Sequence, residues 1–246
     1  AGTVSGSIIG IFDNDTIILG LNDAFGGSGV TTRPQSDYTL QTDGSPRTIS
    51  AAINASSGYN NPYTVMLNSG DVTFAGTYGP LANERHGNVL NVGSGVTTTI
   101  SGQVIGNINS SGSGQQAYEK SGAGLLIFSN AGNSYTMRTQ INAGVLRAND
   151  GTNLPSNSYL TLNGGVLEGN GTFSRALANR PANGLTTANE FRWTGSGGFS
   201  AHGGALTVNV NGGGADNLGW GTTTNFVGDG SVLMFGSQYA NDVVTF

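Results

Sequence analysis

Few residues in this chain have both the type and the spacing to do chemistry. Asp13-Asn14-Asp15 offers oxygen ligands of the kind calcium takes, but the remaining ligands of a calcium loop do not follow it. Asx-rich turns form without metal, so a turn is the preferred reading. Of the two histidines, His86 sits beside Arg85 and near Glu84, and His202 lies in a Gly-rich phrase. Neither has a Ser or Cys at a spacing that suggests nucleophilic catalysis. Polysaccharide cleavage needs two or three acids close together, with an Arg or Lys nearby. Glu168 and Glu190 with Arg192 are candidates, as are Asp216 and Asp229. The acids are otherwise scattered singly. Trp193, Trp220, Tyr78 and Tyr135 could stack on sugars, although core or turn roles explain such aromatics better. The Asn-x-Ser/Thr sequons at Asn14, Asn54, Asn109 and Asn170 are expected by chance in so Asn- and Thr-rich a chain. No catalytic, cofactor-binding or metal-binding residue is therefore assigned, and the expectation is a protein that is not an enzyme.

Composition narrows the class further. The 246 residues include 42 Gly, and only 9% are charged, against about 25% in an ordinary domain. Asn, Ser and Thr fill the polar positions. Disordered chains are rich in charge and poor in β-branched and aromatic residues, whereas apolar strings such as Ser7–Phe12, Thr16–Leu21, Gly124–Phe128 and Asp242–Phe246 recur here. Net charge is −5, and Lys120 is the single lysine beside eight thinly spread arginines. A clustered basic face is missing, which argues against nucleic acid and anionic membranes as partners. No apolar run reaches the ~18 residues of a membrane span. Cysteine is absent, which permits secretion without requiring it. Residues 1 to 20 have no basic start or signal-type core, so any targeting segment is expected outside the given chain.

The elements that would have to position these residues are short strands. Runs of 4–6 apolar-alternating residues recur from end to end, separated by Gly, Asn, Asp and Pro turns, and no helical period of ten residues appears. Loop excursions are expected at 20–37, 78–88 and 174–189. The Ser-, Gly- and Gln-rich stretch 107–116 resembles a flexible linker, but the strand rhythm is the same on both sides of it. The repeat is clearest over 120–173. Ile141-Asn142-Ala143-Gly144-Val145-Leu146 returns as Leu162-Asn163-Gly164-Gly165-Val166-Leu167, about 21 residues later. Looser echoes follow at His202–Leu206 and Asp229–Leu233. A further likeness links Gly6–Leu19 with Gly230–Phe246. These features predict one all-β domain over 1–246, a parallel β-helix (β-solenoid) of roughly ten to twelve coils with strands about 4.8 Å apart.

The run from Lys120-Ser121-Gly122-Ala123-Gly124 through Asn133-Ser134-Tyr135 to Asn142-Ala143-Gly144-Val145-Leu146 resembles the autotransporter-associated β-strand repeat. That family opens on Lys-x-Gly-x-Gly, turns at Asn-x-Tyr and re-enters a strand at Asn-x-Gly-x-Leu. Met137-Arg138 stands where the family usually has glycines. The resemblance implies a right-handed parallel β-helix in a bacterial surface protein. The expected function is a non-enzymatic extracellular rod, stalk or filament segment that associates end to end, with another copy or with further units of the same polypeptide. An adhesin or glycan-binding passenger, contacting surface glycans through its loops, is the alternative. A polysaccharide-active enzyme is the third reading.

Overall fold

A computed structural model describes residues 8–11, 14–34, 36–55, 63–80, 88–107, 117–178, 189–210 and 217–246. The first strands are β1 (Ile8–Ile11), β2 (Thr16–Leu19), β3 (Thr31–Pro34), β4 (Tyr38–Thr42), β5 (Arg47–Ile49), β6 (Ala52–Asn54) and β7 (Thr64–Ser69). β8 (Val72–Phe74), β9 (Tyr78–Gly79), β10 (Val89–Val92), β11 (Thr97–Ile100), β12 (Ala117–Ser121), β13 (Leu125–Phe128) and β14 (Arg138–Ile141) follow. The remainder are β15 (Val145–Arg147), β16 (Leu160–Leu162), β17 (Val166–Leu177), β18 (Glu190–Trp193), β19 (Gly197–Val210), β20 (Leu233–Phe235) and β21 (Val244–Thr245). Most are short because a polar turn interrupts each run of β-branched residues. Within them burial alternates, as in β4, where Tyr38, Leu40 and Thr42 are buried and the residues between are not.

Most strands pair in parallel with strands from the preceding and following repeats, and none pairs across an antiparallel hairpin among the described residues; β17 also pairs in parallel with the next strand, β18. Leu125 lies opposite Val145, and Val145 opposite Val166; Leu126, Leu146 and Leu167 form the adjacent column. Like side chains therefore stack on like. Their inward members build one apolar cluster extending from Ile11 to Val227.

The coiled architecture expected from the sequence is corrected by the sheet order. Seventeen strands belong to one sheet, which curls into a nearly closed barrel of parallel strands, and β1, β3, β6 and β9 form a separate 4-stranded sheet. A stack of about ten to twelve right-handed β-helix coils is not what forms. The physical reason lies in β17 and β19, which are 12 and 14 residues long. Both exceed the 4–6 residues expected of a strand, and β19 runs through the His202–Leu206 phrase. Glycines let the backbone bend there without leaving the ladder, and the register between β17 and β19 shifts between Gly169 and Gly171. The echo at His202–Leu206 falls inside β19, and Leu206 lies opposite Gly171 rather than opposite Leu167. That phrase is not equivalent to the earlier two.

The loop expectations also need adjustment. β3 lies within 20–37, β9 opens 78–88, and the end of β17 occupies the start of 174–189. Residues 81–87, 108–116 and 179–188 lie outside the described residues. Among the described residues no helix is long and apolar enough to cross a membrane.

Close backbone approach explains one glycine in particular. Gly144 has φ +64, and a Cβ there would lie 2.4 Å from the Gly122 carbonyl oxygen and 2.6 Å from that of Gly124. Gly171 has a similar φ of +78 but nothing within 4 Å of a Cβ. Gly144→Ala is expected to lose about 3 kcal/mol or more, from left-handed backbone strain plus overlap with fixed carbonyls. Gly171→Ala should lose only the backbone share, about 1–2 kcal/mol. Urea unfolding of the two variants checks the difference, and equal losses would refute the close-approach account.

Candidate functional site

The candidate chemistry divides between polar groups enclosed by the sheet and apolar groups left uncovered. In the interior, the repeat period places charges in register. Arg147 on β15 is opposite Glu168 on β17, and Glu168 is opposite Ser200 on β19. The Arg147 Nε donates to Glu168 Oε1 at 2.7 Å, and the Ser200 hydroxyl donates to Oε2 at 2.8 Å. Ser237, from the turn after β20, donates to the same Oε2. Glu168 is fully buried, so both of its oxygens are engaged before any substrate could reach them.

A second enclosed pair has the same character. The buried Arg175 guanidinium donates through Nε and Nη2 to Asp150 Oδ1, at 2.9 and 2.6 Å, and also to the carbonyls of Pro155 and Ser158. The Ser158 hydroxyl contacts Thr139, whose hydroxyl lies 2.9 Å from the Tyr135 hydroxyl. These groups tie the loop between β15 and β16 to β17. Such satisfied, desolvated pairs hold backbone in place, since removal of one partner would strand the other.

Lys120 is the least expected interior group. Its side chain is 1% exposed, and its ammonium donates to the carbonyls of Ser121 and Gly122, both at 2.7 Å, and of Ala143 at 3.1 Å. One cation thus satisfies three carbonyls at two stacked bends. Burial pushes its pKa down to about 7.

The other sequence candidates are dispersed. Glu190 on β18 is in register with Ala176, and Arg192 with Thr161, so neither shares a row with Glu168. The guanidinium of Arg192 lies over the Tyr159 ring at 5.8 Å. Asp229 is exposed in a turn, and Asp216 lies outside the described residues. Asp15 is exposed and its carbonyl accepts from the Thr39 amide; Asp13 is outside the described residues, as is His86. Among the described residues no three His, Asp or Glu side chains converge as a metal centre requires. His202 has its Nδ1 2.8 Å from the Tyr239 carbonyl oxygen. Trp193, Tyr78 and Tyr135 are core residues, whereas Trp220 is exposed. Of the sequons, Asn14 is exposed, Asn54 is buried, Asn170 is bonded to Asn149 and the His202 carbonyl, and Asn109 is outside the described residues.

The large apolar side chains that are exposed fall in two groups. Ile18 and Leu21 lie on and just after β2; Trp220, Val232, Phe235, Val243 and Phe246 lie on and around β20 and β21. In this second group the rings of Phe235 and Phe246 are 5.5 Å apart, and Phe226 joins Phe246 and Trp220 to the buried Trp193. Sequence reasoning marked the terminal phrases as alike but did not identify this patch. The missed interior pairs did carry a signal, because Arg147 and Glu168 are 21 residues apart, the period of the repeat.

No family model, no curated protein and no solved structure matches the chain.

Two outcomes follow from the interior groups. Glu168→Ala, which leaves Arg147 and two hydroxyls without their acceptor, should lower stability by roughly 2–4 kcal/mol, with Arg147 partly rescued by solvent; a loss below about 0.5 kcal/mol in denaturant melts would refute it. For Lys120, the unfolded chain keeps its proton up to the ordinary 10.5 while the folded chain releases it near 7. Folding then releases a proton in that window, and stability rises with pH across it. The buried Tyr78, Tyr118 and Tyr135 hydroxyls have pKa values raised above the ordinary 10.0, so they lower stability as pH climbs past 10. Chemical denaturation from pH 6 to 11 should show a maximum near pH 10, and Lys120→Met should remove its rising limb.

Proposed function

We propose that this chain is a non-enzymatic structural β scaffold, an extracellular segment of a bacterial surface protein, which builds larger assemblies through its exposed apolar surface. The observation that carries the reading is the clustering of the exposed large apolar side chains, among the described residues, beside β2 and around β20 and β21. Ile17 lies opposite the fully buried Leu40, and Val244 opposite the buried Leu206, yet Ile17 and Val244 themselves stay half-buried. Among the described residues each has a strand partner on one side only. Exposed apolar surface of this kind favours association.

The interior supports a structural role in a second way. Its charged groups are engaged in buried ion pairs or backbone contacts, which suits a load-bearing scaffold better than a reaction centre. The surface setting rests on the resemblance of Lys120–Leu146 to autotransporter-associated repeats. A second reading, glycan binding, draws on the 47% exposed Trp220. Binding on a glycan array that disappears in Trp220→Ala would favour it over assembly.

The scaffold reading predicts a sedimentation coefficient that increases with protein concentration. Phe235→Asp with Val243→Asp, both at exposed positions, should suppress that increase while leaving the thermal melt unchanged. A single monomeric species at every concentration would overturn it.

A further inference from the structure

An asparagine followed by glycine can condense with its own backbone, because the next amide nitrogen lies within reach of the side-chain carbonyl carbon and no Cβ hinders the approach. Among the described residues this pair occurs at Asn163-Gly164 and at Asn170-Gly171. We infer that Asn163 is a site of spontaneous covalent modification: it cyclises onto the Gly164 amide and converts to aspartate and isoaspartate, while the fold protects Asn170.

The step balances with water as its only co-reactant. The Gly164 nitrogen attacks Asn163 Cγ, closing a cyclic imide as the Cγ–Nδ2 bond breaks. The Gly164 amide proton leaves with that nitrogen as ammonia. Water then opens the ring at either carbonyl. One opening gives aspartate, and the other gives isoaspartate, whose main chain runs through the former side chain. Nothing is oxidised or reduced.

The surroundings of Asn163 favour this reaction. Its side chain is exposed on the bend between β16 and β17, so ammonia can leave and water can enter. The amides of Asn163 and Gly165 both donate to the Ile141 carbonyl, whereas the Gly164 amide between them has no acceptor among the described residues. Across the neighbouring bend, a Cβ at Gly195 would lie 2.9 Å from Asn163 Oδ1, and glycine there leaves the carboxamide room to turn. Asn163 Nδ2 donates to Asn142 Oδ1 at 3.0 Å, an exposed bond that restrains it little.

Asn170 has the same following residue and the opposite surroundings. It is half-buried within β17, and its amide donates to Asn149 Oδ1 at 3.0 Å. Its Oδ1 accepts from Asn149 Nδ2 at 3.0 Å, and its Nδ2 donates to the His202 carbonyl at 3.2 Å. Gly171 is held in the ladder opposite Leu206. Turning this carboxamide onto the Gly171 nitrogen would break both side-chain bonds. Asn142 is a further contrast, because Ala143 follows it in the earlier copy of the phrase and its Cβ hinders attack.

The product changes the bend. The Gly164 backbone lies against the previous level so closely that a Cβ would sit 2.3 Å from the Asn142 carbonyl oxygen. Isoaspartate lengthens the main chain at this packed corner, and a carboxylate at position 163 has no proton to donate to Asn142.

The test incubates the full chain in mildly alkaline buffer, folded and, in parallel, unfolded in guanidinium. The tryptic peptide 148–175 contains both asparagines, and fragmentation locates the mass gain of amide-to-acid conversion. The unfolded sample sets the intrinsic rate of each dipeptide. The folded-to-unfolded rate ratio should be about tenfold or more larger at Asn163 than at Asn170, since reaction at Asn170 requires local opening of β17. Asn163→Gln should remove the gain from this peptide in the folded chain. Equal ratios at the two positions, an Asn163 that stays intact in the folded chain, or a gain that persists in Asn163→Gln would each overturn the inference.

Discussion

The structure depends on a backbone constraint: the amides and carbonyls of most strands are satisfied by strands one repeat before and one repeat after. Parallel pairing cannot be completed within a local hairpin, so no strand is stable by itself. The spacing of the repeat thereby sets register, and register decides which side chains meet. Stacking Leu126 on Leu146 and Leu167 fills the interior with matched shapes. A slip of one residue would turn these columns outward. The ladder and the core are thus two consequences of one periodicity.

The same constraint governs the bends. Where chains turn at successive levels, backbone lies against backbone, leaving no room for a side chain at Gly144. Carbonyls that turn away from the ladder need other donors, and the Lys120 ammonium supplies three hydrogen bonds at once. Arg175 does the same for the carbonyls of Pro155 and Ser158 while pairing with Asp150. In a chain with only 9% charged residues, several of those present are spent inside. Their chemistry is that of anchoring, because the donors and acceptors that a catalyst would direct at substrate are directed at the protein's own backbone.

A ladder of this kind has a property that closed two-layer folds lack. Its interior is satisfied by repetition, while large apolar side chains are exposed beside β2 and around β20 and β21. Ile17 and Val244 are partly buried against the core, each with a strand partner on one side among the described residues. The functional proposal follows from that geometry: a surface that resembles an internal junction is suited to receive another unit.

By itself the sequence determined the β character, the parallel repeat and its strongest copies. Short apolar runs parted by glycine and asparagine set strand length, and the 21-residue offset between the phrases at Ile141 and Leu162 is the register found between β14 and β16. It also contained the Arg147–Glu168 alignment, visible once that offset is applied to charged residues. It did not determine how the sheet closes. Glycines that read as corner turns near Gly169 and Gly203 are bends inside β17 and β19, since a residue without a Cβ can serve either purpose and only its neighbours choose. Nor could it show that Glu168, Glu190 and Arg192 lie in separate rows, that Ser237 reaches Glu168, or that Trp220 is exposed while Trp193 is buried. Those outcomes depend on contacts between residues many positions apart, which no local pattern of residue types encodes; tertiary packing alone decided them.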